Sequence, residues 1–223
     1  MSTIFAILLL FVGSTTGLSL KPAATPLMDS GKALARSGEL LIDMTRKLDL
    51  YGGGLSAAGA AIRTSGDSIA QAAASCRFKT GTELVLDELR EAATCLKEAS
   101  LKCKVATEEA QTDENEGLEQ LLVNMIGPIA AAGQSLEEAG AGIMTRVPLK
   151  DVGSKLVESA DYFQMIAASI DNIAQSTTAA DPIPEGILSA QRMMFAAEKM
   201  KEAGNELQGN EKPKPTGKAW LKG

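Results

Sequence analysis

Large apolar and small residues alternate along the chain at spacings of four and three, and this pattern predicts helices almost throughout. Residues 27–41 read Leu27, Gly31, Leu34, Gly38, Leu41, and residues 55–69 read Leu55, Gly59, Ile62, Gly66, Ile69. The same order returns in Ile129, Gly133, Leu136, Gly140, Ile143. With alanine, serine or cysteine at some positions it returns in Leu89, Ala93, Leu96, Ser100, Cys103, in Leu149, Gly153, Leu156, Ala160, Phe163, Ala167, Ile170, and in Met193, Ala197, Met200, Gly204, Leu207. A 4–3 spacing is a heptad seam, here with the small residue at a and the large one at d. No stretch alternates with the period of two that a half-buried strand requires.

The breaks divide this pattern into segments. "YGGG" (51–54) is expected to stop a first helix that starts near residue 26, and a second helix runs over about 55–76. "FKTGT" (78–82) turns the chain, with Thr80 and Glu83 spaced as a capping box for a third helix ending near 110. The acidic "QTDENEG" (111–117) reads as a solvated connection. A short helix over 118–126 is expected to end at "GP", with Pro128 in the first turn of a fourth helix reaching about 145. A fifth spans 149–177, "ADPIP" (180–184) interrupts, and a sixth covers 185–208. The expected fold is therefore all-α, an elongated antiparallel bundle of about six helices. Small residues at a let helix axes approach to the lower end of the usual range, about 8 Å. The added contact then offsets the roughly 1 kcal/mol that each interior glycine costs a helix.

Composition fits such a core, because only 4% of the 223 residues are aromatic. It also narrows the chemistry. Net charge is −6, which argues against nucleic-acid partners, since phosphate backbones reward basic faces. There is no histidine, so the usual general base and the commonest transition-metal ligand are missing. A di-iron carboxylate bundle needs Glu-x-x-His motifs, so the adjacent pairs Glu108/Glu109 and Glu137/Glu138 do not suggest one. "DENEG" (113–117) lacks the ligand alternation of a calcium loop, and no glycine-rich stretch carries the Lys-Ser/Thr ending of a phosphate loop. No cofactor, metal or catalytic residue is assigned, and the chain is read as non-enzymatic.

The ends carry the targeting and contact signals. "IFAILLLFV" (4–12) is about half the length of a membrane span and suits the apolar core of a signal peptide, with Thr15 and Gly17 placing cleavage after residue 17. Residues 18–25 form an N-terminal linker, the bundle occupies 26–208, and 209–223 is an extended tail. The acid-poor stretch 18–27 resembles the transit segment of bipartite plastid presequences in algae with secondary plastids, with Leu18 where those often carry an aromatic residue. The tail sets Lys212, Lys214, Lys218 and Lys222 around Trp220, the chain's sole tryptophan. Such a segment suits a partner groove or peripheral contact with an anionic membrane; the plainer reading is a solvated terminus.

Three cysteines in an exported chain raise the question of a disulfide. Cys76 and Cys103 fall on d positions of consecutive antiparallel helices, about 30 Å apart along the bundle, far beyond the ~7 Å that a disulfide allows. Both are expected in the core. Cys95 lies off the seam and is the candidate exposed thiol. Met193, Met194 and Met200, with Met144 and Met165, are read mainly as core, with an adaptable groove as the other use. The leading function is binding or scaffolding toward a protein partner, in the secretory route. The alternatives are a carrier of lipid or another apolar ligand, and a plastid protein attached to a membrane or photosynthetic complex.

Overall fold

The structure is a computed structural model that describes residues 19–47, 53–78, 81–113, 116–176 and 182–209. After a 3-10 turn at Lys21–Ala23 it is built from α1 (Ala24–Thr45), α2 (Gly54–Phe78), α3 (Thr82–Thr112), α4 (Glu116–Met144), α5 (Leu149–Ser176) and α6 (Pro184–Gln208). Among the described residues there is no strand, and the six helices pack on one another as an antiparallel bundle. Each helix packs on the one before and the one after it, and α6 returns to pack on α1. The bundle is thus a closed ring, not two stacked layers.

Two columns of small residues close the ring, and the seam at a is only one of them. At a, helices meet inside three hairpins. Gly31 faces Gly66 and Gly38 faces Gly59 between α1 and α2, Gly133 faces Ala93 between α4 and α3, and Gly153 faces Gly204 between α5 and α6. The adjacent g column joins one hairpin to the next. Ser159 Oγ donates to the Ala132 carbonyl between α5 and α4 at 3.4 Å. Ser30 Oγ donates to the Ala196 carbonyl at 2.8 Å between α1 and α6. One turn pair away, Ser37 and Ser189 each donate to the other's carbonyl, at 2.9 and 2.8 Å. With g and a both spent on neighbours, d points to the centre of the ring (compare the helical order g, d, a around the axis).

The spacing decides whether that centre is open. In a regular six-membered ring the distance from each axis to the centre equals the spacing between neighbours. At about 8 Å, Cα atoms on a cylinder of about 2.3 Å radius come within roughly 6 Å of the centre. Leucine-sized side chains fill that distance. Leu34, Leu41, Ile62, Ile69, Leu122, Ile129, Leu136, Phe163, Ile170 and Met200 are each 0% exposed, so no water-sized space lies beside them. The glycines therefore do more than bring helices close. They shrink the ring until its own d residues plug it.

Several boundaries differ from those the sequence suggests. The segment assigned to a linker at 18–25 joins the bundle at its end, because Leu20, Ala23 and Ala24 are buried in the core and α1 begins at Ala24. Of "YGGG", residues 51 and 52 lie outside the described residues. Gly53 has φ +81, and Gly54 already belongs to α2, where an added Cβ would lie 2.6 Å from the Ala106 nitrogen of α3. The Glu109 carboxylate accepts from the Gly54 N–H at 3.2 Å, so α3 supplies the anion at the start of α2. Thr80 lies outside the described residues, and the residue before α3 is Gly81, at φ +127, which makes no side-chain cap.

The largest difference is at "GP". No break occurs there: α4 is one helix with Pro128 inside it. Proline removes one backbone donor and crowds the carbonyl four residues back. That residue, Asn124, is exposed, so its carbonyl can turn to water. Ser100 Oγ of α3 donates to the neighbouring Ile126 carbonyl at 2.9 Å. Packing of α4 against α3 and α5 then favours one continuous helix over a break at Pro128.

Candidate functional site

The interior offers little chemistry. Its buried polar residues are mainly serines and threonines that bond carbonyls of their own or neighbouring helices. Among the described residues, Ser65 Oγ, on the α2 face toward α3, is the buried side-chain oxygen without a partner. Among the described residues no group of three or more Cys, Asp or Glu side chains is arranged to hold a metal.

The cysteines sort by depth. Cys103 is 0% exposed, and burial pushes its thiol up to about 12; Cys76 is buried near the end of α2 and pushed up to about 11. Cys95 is half-buried, and desolvation, then the Glu91 and Glu98 carboxylates on its own helix, raise its pKa. It is a partly accessible but poorly activated thiol.

The outside carries the functional possibilities. On the outer face of α3, Leu101 and Val105 stand one turn apart, 66% and 43% exposed. Val123 of α4 lies at their level, because Ser100 bonds Ile126 nearby. A Lys97–Glu137 ion pair bridges the same two helices further along. On α5 and α6, Met165, Leu188, Met194 and Phe195 are exposed, with Lys199 Nζ 5.6 Å from the Phe195 ring centroid. The methionines thus divide. Met193 and Met200 are core, whereas Met144, Met165 and Met194 face out, contrary to the expectation that all are mainly core.

A shallow groove of about 280 Å³ lies where α4 ends and α5 begins, floored by Ala141, Gly142, Val147 and Val152. Lys155 on its rim pairs with Glu138 at 2.7 Å and with Glu158 at 2.9 Å. The bonds to Lys155 and then to Gln134 hold the Glu138 carboxyl below its ordinary value, and both carboxylates raise Lys155. Beside the groove, Arg146 adopts φ 57 in the turn between the helices.

The residues proposed from sequence are not brought together. Cys95 is near the middle of α3, and Lys212, Lys214, Lys218, Trp220 and Lys222 lie outside the described residues. Sequence reading missed Leu101, Val105 and Val123. Their signal was available, since they are apolar residues off the seam in otherwise patterned helices. Among the described residues no helix is long and apolar enough to cross a membrane. Comparison with protein-family models, with curated proteins and with solved structures gave no match.

Proposed function

We propose that this chain is a non-enzymatic, exported helical module that works by binding partners on its outer surface. The observation that carries this reading is the filled ring. The ten d residues named above have no exposed area, so a ligand has no pre-formed interior space beside them. A carrier of apolar ligand would have to part helices that are held together by backbone contact at glycine, which makes opening costly. The exposed apolar side chains on α3, α4, α5 and α6 are the natural contact groups, and Cys95 and the Lys/Trp tail remain secondary candidates. Export rests on residues 1–17 read as a signal peptide; plastid delivery is the alternative that the following acid-poor stretch leaves.

Native mass measurement of the mature protein, purified from the compartment it reaches, tests the reading. The expected mass is that of polypeptide alone or of a complex with another protein. A lipid or other apolar molecule bound at one per chain would overturn it in favour of a carrier. Fusing residues 1–30 to a fluorescent protein separates secretion from plastid import.

A further inference from the structure

One helical glycine departs from the close-packing rule. At Gly38, Gly66, Gly133 and Gly204 an added Cβ would strike a neighbouring helix, whereas at Gly127, inside α4, it would meet nothing within 4 Å. The missing Cβ relieves the crowding that Pro128 places on the residue before it, and it also leaves bare backbone exposed at the surface. Ser100 Oγ bonds the Ile126 carbonyl, so Leu101 and Gly127 stand at nearly the same level of the α3–α4 hairpin, and both face outward. Gly127 therefore borders the exposed apolar patch of Leu101, Val105 and Val123.

The α4 side of this face carries no charge. From residue 120 to 136 the sequence has no Asp, Glu, Lys or Arg, in contrast to the charged outer face expected of a surface helix. Its outward positions are also symmetric about Gly127. Laid antiparallel on a second copy, Gly127 falls on Gly127, Val123 on Ala131 and Gln120 on Gln134, so apolar meets apolar and amide meets amide. On α3 the same two-fold axis passes Leu101. Glu98 and Lys104 lie three residues to either side of it, both exposed, so each Glu98 comes opposite Lys104 of the second copy. Among the described residues neither has an ion-pair partner in its own chain. Carboxylates on this face do not coincide: Glu108 comes opposite Thr94, and Glu91 opposite Gln111.

We infer that two copies of this chain associate through the α3–α4 face, antiparallel, about a two-fold axis at Leu101 and Gly127. A two-fold contact is isologous, so one surface must supply both halves of every complementary pair, as Glu98 and Lys104 do. Bare backbone at Gly127 lets the two α4 helices approach closely, and the apolar centre of Leu101, Val105 and Val123 leaves water. The inference adds a self-contact to the proposed binding of partners and does not depend on it.

Sedimentation velocity of the mature protein over a wide concentration range tests it, with circular dichroism to confirm that each variant is folded. A monomer–dimer equilibrium is expected. Leu101→Glu sets two carboxylates together on the axis and should weaken it at least roughly tenfold. Glu98→Lys or Lys104→Glu alone places like charges opposite each other and should weaken it several-fold, whereas the two together should restore it. Met165→Ser with Phe195→Ser, on the α5–α6 side, should leave it unchanged. On mild oxidation with diamide, Leu101→Cys should link two copies. Native Cys95, six residues from the axis, lies about 18 Å from its copy and should not.

A monomer at every concentration up to about 1 mM would overturn the inference. So would a dimer indifferent to Leu101→Glu, charge reversals that do not weaken singly and recover together, or cross-linking through Cys95 in place of position 101. A dimer lost only with Met165→Ser and Phe195→Ser would place the contact on the other face, and a different protein released by Leu101→Glu would assign this face to that protein; either result ends the proposal. A bound lipid would overturn the proposed function without altering these outcomes, so the two readings fail separately.

Discussion

Replacing glycine by alanine at successive a positions should change stability with a sign set by what the new methyl meets. A Cβ at Gly38 would lie 2.5 Å from both the Arg63 nitrogen and the Gly59 carbonyl oxygen, and 2.9 Å from the Arg63 Cα. All three are backbone atoms of α2, so no rotamer change relieves them. Restoring an ordinary separation of about 3.4 Å requires α1 and α2 to part locally by roughly 0.9 Å, and a gap of that size forfeits a quarter to a half of each contact's attraction. Overpacking of this kind costs about 1–3 kcal/mol, while alanine's better helix propensity returns about 1 kcal/mol. Gly38→Ala is thus expected to destabilise, by a net of up to ~2 kcal/mol.

At Gly133 one backbone atom is close, the Ala93 oxygen at 2.9 Å, and the next is a side-chain carbon at 3.2 Å. There the two effects should nearly cancel. At Gly140 the nearest atom is the end of the Leu86 side chain at 3.2 Å, which can move, and alanine should stabilise by up to about 1 kcal/mol. Urea and thermal unfolding followed by circular dichroism measure the series. Each kcal/mol corresponds to a melting shift of about 2–4 °C at this size. If Gly38→Ala raised the melting temperature as much as Gly140→Ala, the close-packing account of the ring would be wrong.

Four further outcomes follow from the same structure. Ser37→Ala and Ser189→Ala should each cost about 1 kcal/mol, and the double variant less than their sum, because the two hydroxyls share one reciprocal pair; a double-mutant cycle by urea unfolding reads this, and strict additivity would refute the pairing. Cys76 and Cys103 have folded pKa values raised to about 11 and 12, so their stabilisation is complete below the unfolded thiol value and is lost as pH rises. Stability should fall between about pH 9 and 11 by up to roughly 1.4 kcal/mol per pH unit for each thiol, and alanine at both positions should flatten that slope in unfolding curves. Conversely, the lowered pKa of Glu138 means that its contribution is present above the ordinary carboxylate range and disappears on acidification; Glu138→Gln should reduce the loss seen below about pH 4.5. In native protein, iodoacetamide should modify Cys95 slowly and faster as pH rises, while Cys76 and Cys103 react only on unfolding; mass mapping would show otherwise if either buried thiol were labelled first.

Much of the bundle was readable from residue order. The seam residues from Leu27 to Leu207 predicted six helical segments, close helix approach at the small a residues and a core with few aromatics, because a 4–3 repeat admits one helix face and leaves little choice about what that face buries. The burial of Cys76 and Cys103 followed from the same register. The "GP" at 127–128 misled, since local propensity favours a break there while continuous packing against two neighbouring helices outweighs it.

What the seam alone did not reveal was the second column. Ser30, Ser37, Ser65, Ala92, Ala99, Ala132, Ser159 and Ala196 are small and lie beside the d residues, yet their purpose needs the second neighbour that each helix acquires only on folding. Ring closure is likewise a tertiary outcome, because nothing local ties α1 to α6 across more than 150 residues: Ser37 and Ser189 meet 152 positions apart. Closure also decides which helix ends lie together. The sequence determined that Phe78, Leu84 and Met144 lie near the ends of helical segments. Only the antiparallel ring gathers Phe78, Leu84 and Met144 at one end and Asp43, Glu109, Asp113, Glu116, Glu119 and Glu185 at the other, since each hairpin reverses direction and alternate helix termini are thereby sorted into two opposed faces.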